Sequence, residues 1–123
     1  MKKILVVEDN DKNMYLMNYI LKSAGYEVIE AWSGEEGVEL AKSEKPDLVI
    51  MDIQLPGIDG LEAAKRIRKS EADGKTPIIA VTSYAMAGDR DRMLKGSCTG
   101  YIEKPIDPET FLSEIEKHLP SGG

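Results

Sequence analysis

Leu48-Val49-Ile50-Met51-Asp52 is the stretch that decides the fold. Its four apolar residues follow Lys45-Pro46-Asp47 and close on an acid. The run is too short for a helix and shows no polar alternation, as expected of a strand covered on both faces. Ile4-Leu5-Val6-Val7 repeats the pattern and closes on Glu8-Asp9, Ile78 to Thr82 repeats it again, and Tyr101-Ile102 gives a shorter version just before Lys104. Strands covered on both faces belong to parallel sheets, whose carboxyl ends converge on one edge, and open α/β folds bind ligands at that edge. Three acids and one lysine are thereby predicted to share a crevice.

Between these runs the pattern switches to helical spacing. Asn10 or Asp11 caps a helix running to about Ala24, with Met14, Met17, Ile20, Leu21 and Ala24 on its buried face, and Gly25 stops it in a left-handed conformation. A strand from Glu27 to Ala31 leads through Ser33-Gly34 to a helix carrying Val38, Leu40 and Ala41, which ends before Pro46. Leu55-Pro56-Gly57 and Asp59-Gly60 form a turn-rich loop before a helix marked by Leu61, Ala64 and Ile67. After a loop at Ala72-Asp73-Gly74-Lys75 and the fourth strand, a polar helix is expected from about Met86 to Lys95, and a last one from Asp107 to His118. Strict alternation of this kind implies right-handed crossovers. The fold class is α/β: a flavodoxin-like three-layer (βα)5 arrangement with a five-stranded parallel sheet, for which 2-1-3-4-5 is the default order. One domain is expected over residues 1–119, with 120–123 a flexible tail.

Composition bounds the function. The chain has 123 residues, 41% apolar and 31% charged, with a net charge of -6 and a pI near 4.8. That balance argues against direct binding to nucleic acid or an anionic membrane. Met1-Lys2-Lys3 is followed by only four apolar residues before Glu8, too few for an export signal. The single cysteine, Cys98, cannot form an internal disulfide, which makes a reducing cytoplasm the expected compartment. Cys98 reads as a packed residue rather than a reactive thiol, and His118 as a surface residue of the last helical turn.

The chemistry rests on the strand ends. At an effective dielectric of ~20, two carboxylates about 5 Å apart repel by ~3 kcal/mol, so the acids ask for a cation. All available ligands are oxygens, which favours Mg²⁺ over a soft metal. Asp52 has the makings of a nucleophile that attacks a phosphoryl group to give an acyl phosphate, with Lys104 adding positive charge and the Thr82 hydroxyl donating to a phosphoryl oxygen. A metal-dependent phosphatase with an aspartyl nucleophile would want a second acid two residues on, where Gln54 stands. A flavin carrier would want a phosphate-binding loop after the first strand, where Glu8-Asp9-Asn10-Asp11 would repel phosphate. A constitutive protein-binding module that keeps the fold without the switch is the remaining alternative.

Val7-Glu8-Asp9-Asn10, Met51-Asp52-Ile53-Gln54-Leu55-Pro56, Asp59-Gly60, Val81-Thr82-Ser83 and Tyr101-Ile102-Glu103-Lys104-Pro105 together resemble the receiver domain of two-component response regulators, over essentially the whole chain. The contexts of Asn13-Met14 and Tyr84-Ala85-Met86 are most similar to DivK-type single-domain regulators and hybrid-kinase receivers. The resemblance implies that Asp52 accepts phosphate from a histidine kinase or histidine phosphotransfer protein. It implies that Glu8, Asp9, Asp52 and the backbone carbonyl of Gln54 hold Mg²⁺, and that Thr82 and Lys104 grip the phosphoryl group. Tyr101 would be an aromatic switch turning inward as Thr82 moves, and Lys104-Pro105 is expected to be cis. The chain would then be a signalling switch rather than an enzyme in the ordinary sense, catalysing only its own phosphorylation and slow dephosphorylation. It would be a monomer, or a dimer once phosphorylated. A downstream protein would read Met86, Arg90, Met93 and Tyr101, while Asn13, Met14 and Met17 would meet the phosphodonor. Glu8 replaces the commoner Asp, and bulky Tyr84 is expected to shield the acyl phosphate and lengthen its life.

Overall fold

A computed structural model describes residues 2–70, 76–83 and 98–119. Five parallel strands, β1 (Lys3–Val7), β2 (Glu27–Ala31), β3 (Leu48–Asp52), β4 (Ile78–Thr82) and β5 (Gly100–Glu103), form one sheet in the order β2-β1-β3-β4-β5. The described helices are α1 (Asp11–Ser23), α2 (Gly34–Glu44), α3 (Gly60–Ser70) and a short α4 (Phe111–Glu116). The predicted strand order and parallel pairing are both present. The predicted loop around 72–75, the polar helix of 86–95 and the tail 120–123 lie outside the described residues.

Alternation within the strands divides the core in two. Leu5, Val7, Val49, Met51, Ile78 and Ala80 pack with Ala63, Ala64 and Ile67 of α3. Ile4, Val6, Leu48, Ile50, Ile79 and Val81 pack with Met14, Met17 and Leu21 of α1 and with Phe111 and Ile115 of α4. Every residue of β3 and β4 is buried, which is why these runs are apolar without interruption. The register pairs Val7 with Met51 and Asp52 with Val81, so the strand ends finish level at one edge.

Helix ends follow their local chemistry. Asn10 is the N-cap of α1, its side chain accepting from the Asn13 backbone N–H at 2.9 Å, and Asp11 is the first helical residue. At the other end Tyr26 and Gly25 donate to the carbonyls of Leu21 and Lys22, with Gly25 at φ +94, a Schellman closure. Ala24 is the exposed C-cap and not part of the buried face, a correction that follows from the chain leaving the helix there. α2 begins on Ser33, whose hydroxyl accepts from Glu36, while Glu36 accepts from the Trp32 N–H.

The last helix is shorter than the spacing predicts. Asp107 closes a tight turn first, its side chain accepting from Glu109 and its carbonyl from Thr110, and α4 starts only at Phe111. His118 is half-buried and lies over Gly100, where an added Cβ would meet its imidazole at 2.8 Å, so it packs on β5 instead of standing at the surface. α4 is tethered to the end of α1 by the Tyr26 hydroxyl, which donates to Glu116 at 2.6 Å. Tyr26→Phe removes that one partly exposed bond and is expected to cost about 0.5–1 kcal/mol in a urea melt, with the midpoint falling and the slope unchanged.

Candidate functional site

Four strands deliver polar groups to the carboxyl edge of the sheet. Glu8 follows β1, and its N–H donates to the Ala31 carbonyl of β2. Asp52 and Thr82 are the last residues of β3 and β4, and Lys104 follows β5 with its N–H donating to the Thr82 carbonyl at 2.8 Å. Glu8, Asp52 and Thr82 are each at most 2% exposed, whereas Asp9 stands in solvent at the rim. Carboxylate oxygens of Glu8, Asp9 and Asp52 all lie within 4.8 Å of one another. Lys104 Nζ sits 3.3 Å from Asp52 Oδ2 and 3.5 Å from Glu8 Oε1.

The charges do not balance. Three acids face one ammonium, and at an effective dielectric near ~20 each acid pair at this separation costs about 3 kcal/mol. Burial, and then the hydrogen bond and repulsion from Asp52, push the Glu8 carboxyl up to about 7, against the smaller lowering by the Asn10 N–H and Lys104. Glu8 Oε2 accepts from Asn10 at 3.1 Å, but the buried Oε1 has no hydrogen-bond partner. A buried carboxylate oxygen with no hydrogen bond and only the Lys104 ammonium at 3.5 Å beside it, set among two further carboxylates, fits a hard divalent cation.

The raised Glu8 value has a consequence for stability. Its proton is held more tightly in the folded chain than at its ordinary value of 4.5, so stability present at and below pH 4.5 is lost as pH rises toward 7. About 2.5 pH units at 1.36 kcal/mol each makes the loss of order 3 kcal/mol. Urea melts in chelator at stepped pH should show that decline, and millimolar Mg²⁺ should flatten it. A flat profile in chelator would contradict the charge account.

The approach of α3 and the loop after β3 shapes Asp52. The Gln54 N–H donates to Asp52 Oδ1 at 3.0 Å, fixing the carboxylate and leaving Oδ2 toward Lys104. The Gln54 side-chain oxygen reaches the Ser83 N–H at 3.5 Å, a long contact that ties the loop to the end of β4. Gly60, the first residue of α3, lies so close that an added Cβ would stand 2.2 Å from the Asp52 carbonyl oxygen. From the sequence Asp59-Gly60 reads as a turn and as part of the family motif, and neither reading gives this contact or the Gln54 to Ser83 link. The signal for the first was a glycine at a helical position, where glycine is otherwise unfavourable.

Glu8, Asp9, Asp52 and Lys104 are thus brought together, with Gln54 hydrogen-bonded to Asp52. Thr82 ends the neighbouring strand, and by alternation it falls on the face of the sheet where half-buried Tyr101 packs, with Tyr101 opposite Ala80. The Lys104-Pro105 bond is cis, as the family resemblance implies. The first-helix surface needs correction. Met14 and Met17 are each 1% exposed and face the sheet, because they occupy the apolar stripe of α1, so neither forms an exposed docking surface. Asn13 is half-buried beside the cap. Tyr84, Met86, Arg90 and Met93 lie outside the described residues.

Three comparisons bear on this geometry. The family model described as the response regulator receiver domain matches residues 4–116. The polar-differentiation response regulator DivK of Brucella ovis is 43% identical over 118 residues, 96% of each chain, and that of Brucella anthropi is 42% identical over the same span. Among solved structures, Vibrio cholerae chemotaxis protein CheY4 superimposes with a TM-score of 0.92 at 30% identity, covering 97% of this chain and 99% of that one. The receiver domain of a Pseudomonas aeruginosa sensor histidine kinase, solved with magnesium coordinated in its active-site cleft, gives 0.86 at 33% identity over 95% and 96%.

Proposed function

The chain belongs to the response regulator receiver family, and from that premise we propose that it is a phosphoacceptor switch in a two-component phosphorelay. Asp52 takes a phosphoryl group from the phosphohistidine of a histidine kinase or phosphotransfer protein. The observation that carries this reading is the over-charged pocket of buried Glu8 and Asp52 with Asp9 at its rim and one lysine at its wall.

Glu8, Asp9, Asp52 and the backbone carbonyl of Gln54 would hold Mg²⁺. When bound, the ion neutralises phosphoryl oxygens that three carboxylates would otherwise repel. The Gln54 N–H holds one Asp52 oxygen still, so that a carboxylate oxygen is presented for in-line attack on phosphorus. The new bond is an acyl phosphate O–P bond, and the P–N bond to the donor imidazole breaks, its electron pair staying on the histidine. Lys104 Nζ, already poised between Glu8 and Asp52, follows the added charge, and the Thr82 hydroxyl supplies a further donor. Moving the switch from mostly off to mostly on takes ~5.5 kcal/mol of differential interaction, within reach of a few charge-assisted hydrogen bonds. Tyr101 sits on the same sheet face as Thr82 and is the residue we assign to report its movement. Output is by protein contact: the chain carries a net charge of -6, and among the described residues no helix is long and apolar enough to cross a membrane. A cytoplasmic setting goes with this reading.

The test is incubation with phosphoramidate, with and without Mg²⁺, followed by intact-mass measurement. A single phosphoryl adduct that requires Mg²⁺ is the expected result. No adduct under either condition favours the constitutive binding module.

A further inference from the structure

A second surface lies outside this chemistry. A groove of about 470 Å³ runs between α1 and the end of β2, lined among others by Tyr15, Asn18, Tyr19, Lys22, Glu30 and Trp32. Tyr15, Tyr19 and Trp32 are the large hydrophobic side chains left exposed among the described residues, at 72%, 64% and 40%. Tyr15 and Tyr19 are one turn apart on the outer side of α1, and Trp32 is anchored at the start of α2 by its N–H bond to Glu36. Aromatic rings gathered at one place are the side chains that dominate protein interfaces.

The groove is polar at its base, where Asn18 is buried, and Glu30 stands exposed beside it. Asn18 is 7% exposed, and its Nδ2 donates to the Glu30 carboxylate. The Asn18 oxygen is left buried without a partner, which is unfavourable. The pair therefore holds Glu30 in place at some expense to stability. Among the described residues Glu30 has no ion-pair partner, and with Asp11 and Lys22 at the rim the groove is net acidic.

We propose that this groove is a docking site for an arginine side chain carried by a protein partner. A guanidinium is planar, so it can stack on an indole or phenol ring while its edge pairs with the Glu30 carboxylate. An ammonium matches the charge, but as a point charge it cannot do both at once. A neutral side chain would bury Glu30 unpaired. An acidic partner or an anionic membrane would meet a chain of net charge -6. The groove draws on the outer side of α1, β2 and the turn after it, whereas phosphoryl chemistry draws on the ends of β1, β3, β4 and β5, so this inference stands apart from the proposed function.

Trp32 is the only tryptophan, so its emission reads the groove directly. The full chain should be titrated with acetylated and amidated Gly-Arg-Gly, Gly-Lys-Gly and Gly-Gln-Gly. The arginine peptide is expected to change Trp32 emission saturably, the lysine peptide to bind several-fold more weakly and the glutamine peptide not to bind. Glu30→Gln should weaken the arginine peptide about tenfold, as should the exposed-ring double variant Tyr15→Ala with Tyr19→Ala. Asp52→Asn should leave it unchanged, which separates the groove from the acid pocket. Equal affinity for the lysine or glutamine peptide, unchanged affinity in Glu30→Gln, or loss in Asp52→Asn would overturn the proposal. So would an emission change that tracks protein concentration without peptide, which would put a second copy of the chain in the groove.

Discussion

Asp52→Asn is expected to abolish phosphate uptake and, in the same molecule, to stabilise the metal-free protein. The amide keeps the shape of the carboxylate and can still accept from the Gln54 N–H, but it is no nucleophile, so no acyl phosphate forms. Stability moves the other way. The substitution removes the second and third causes of the raised Glu8 value, the hydrogen bond and the repulsion from Asp52, and lets Glu8 ionise more easily. Above pH 7, two acid repulsions disappear against one lost attraction to Lys104, a net gain of about 1–3 kcal/mol. The urea midpoint in chelator should rise, and the stabilisation that the wild type draws from Mg²⁺ should shrink. A lower midpoint in chelator, or an adduct retained in the variant, would contradict the charge account and the assignment of Asp52 respectively.

Gly60→Ala carries the second large effect. Its Cβ would stand 2.2 Å from the Asp52 carbonyl oxygen and 2.6 Å from Ile53 Cα, both backbone atoms that no rotamer change can clear. Either α3 or the end of β3 must shift, at about 3 kcal/mol, even though alanine is the better helix former by about 1 kcal/mol. Gly25→Ala is the control. Nothing lies within 4 Å of a Cβ there, and only the positive φ of +94 is strained, so about 1 kcal/mol is expected. The two variants should differ in phosphate uptake as well as in urea midpoint, because only Gly60 touches the backbone that carries Asp52. Equal midpoints would mean that the contact relaxes without cost.

What the sequence reveals and what it conceals have different physical origins. β1, β3 and β4 are legible because both faces are buried, which leaves an apolar run with no competing helical reading. Their closing residues, Glu8, Asp52 and Thr82, follow at once from parallel pairing, since strands of one direction must finish at one edge. Lys104 follows in the same way from the end of β5, and the family resemblance adds the cis bond before Pro105. The surface of α1 is harder. Met14 and Met17 satisfy the apolar periodicity of a buried stripe, and resemblance to a docking helix does not override that spacing. The depth of Gly60 against Asp52 is a through-space approach of two backbones, and a sequence marks it only by a glycine that could equally serve a turn. The start of α4 shows the same ambiguity. Asp107 can cap a helix or close a tight turn, and here it does the latter.

The central claim is that a phosphoryl group comes to rest on the carboxylate of Asp52. Borohydride reduction of the phosphorylated chain, followed by peptide mapping, tests it most directly, because an acyl phosphate is reduced to an alcohol while free carboxylates are not. Homoserine is expected at position 52, formed only after phosphorylation in the presence of Mg²⁺. Reduction at another acid, or a phosphorylated chain that borohydride leaves unchanged, would contradict it.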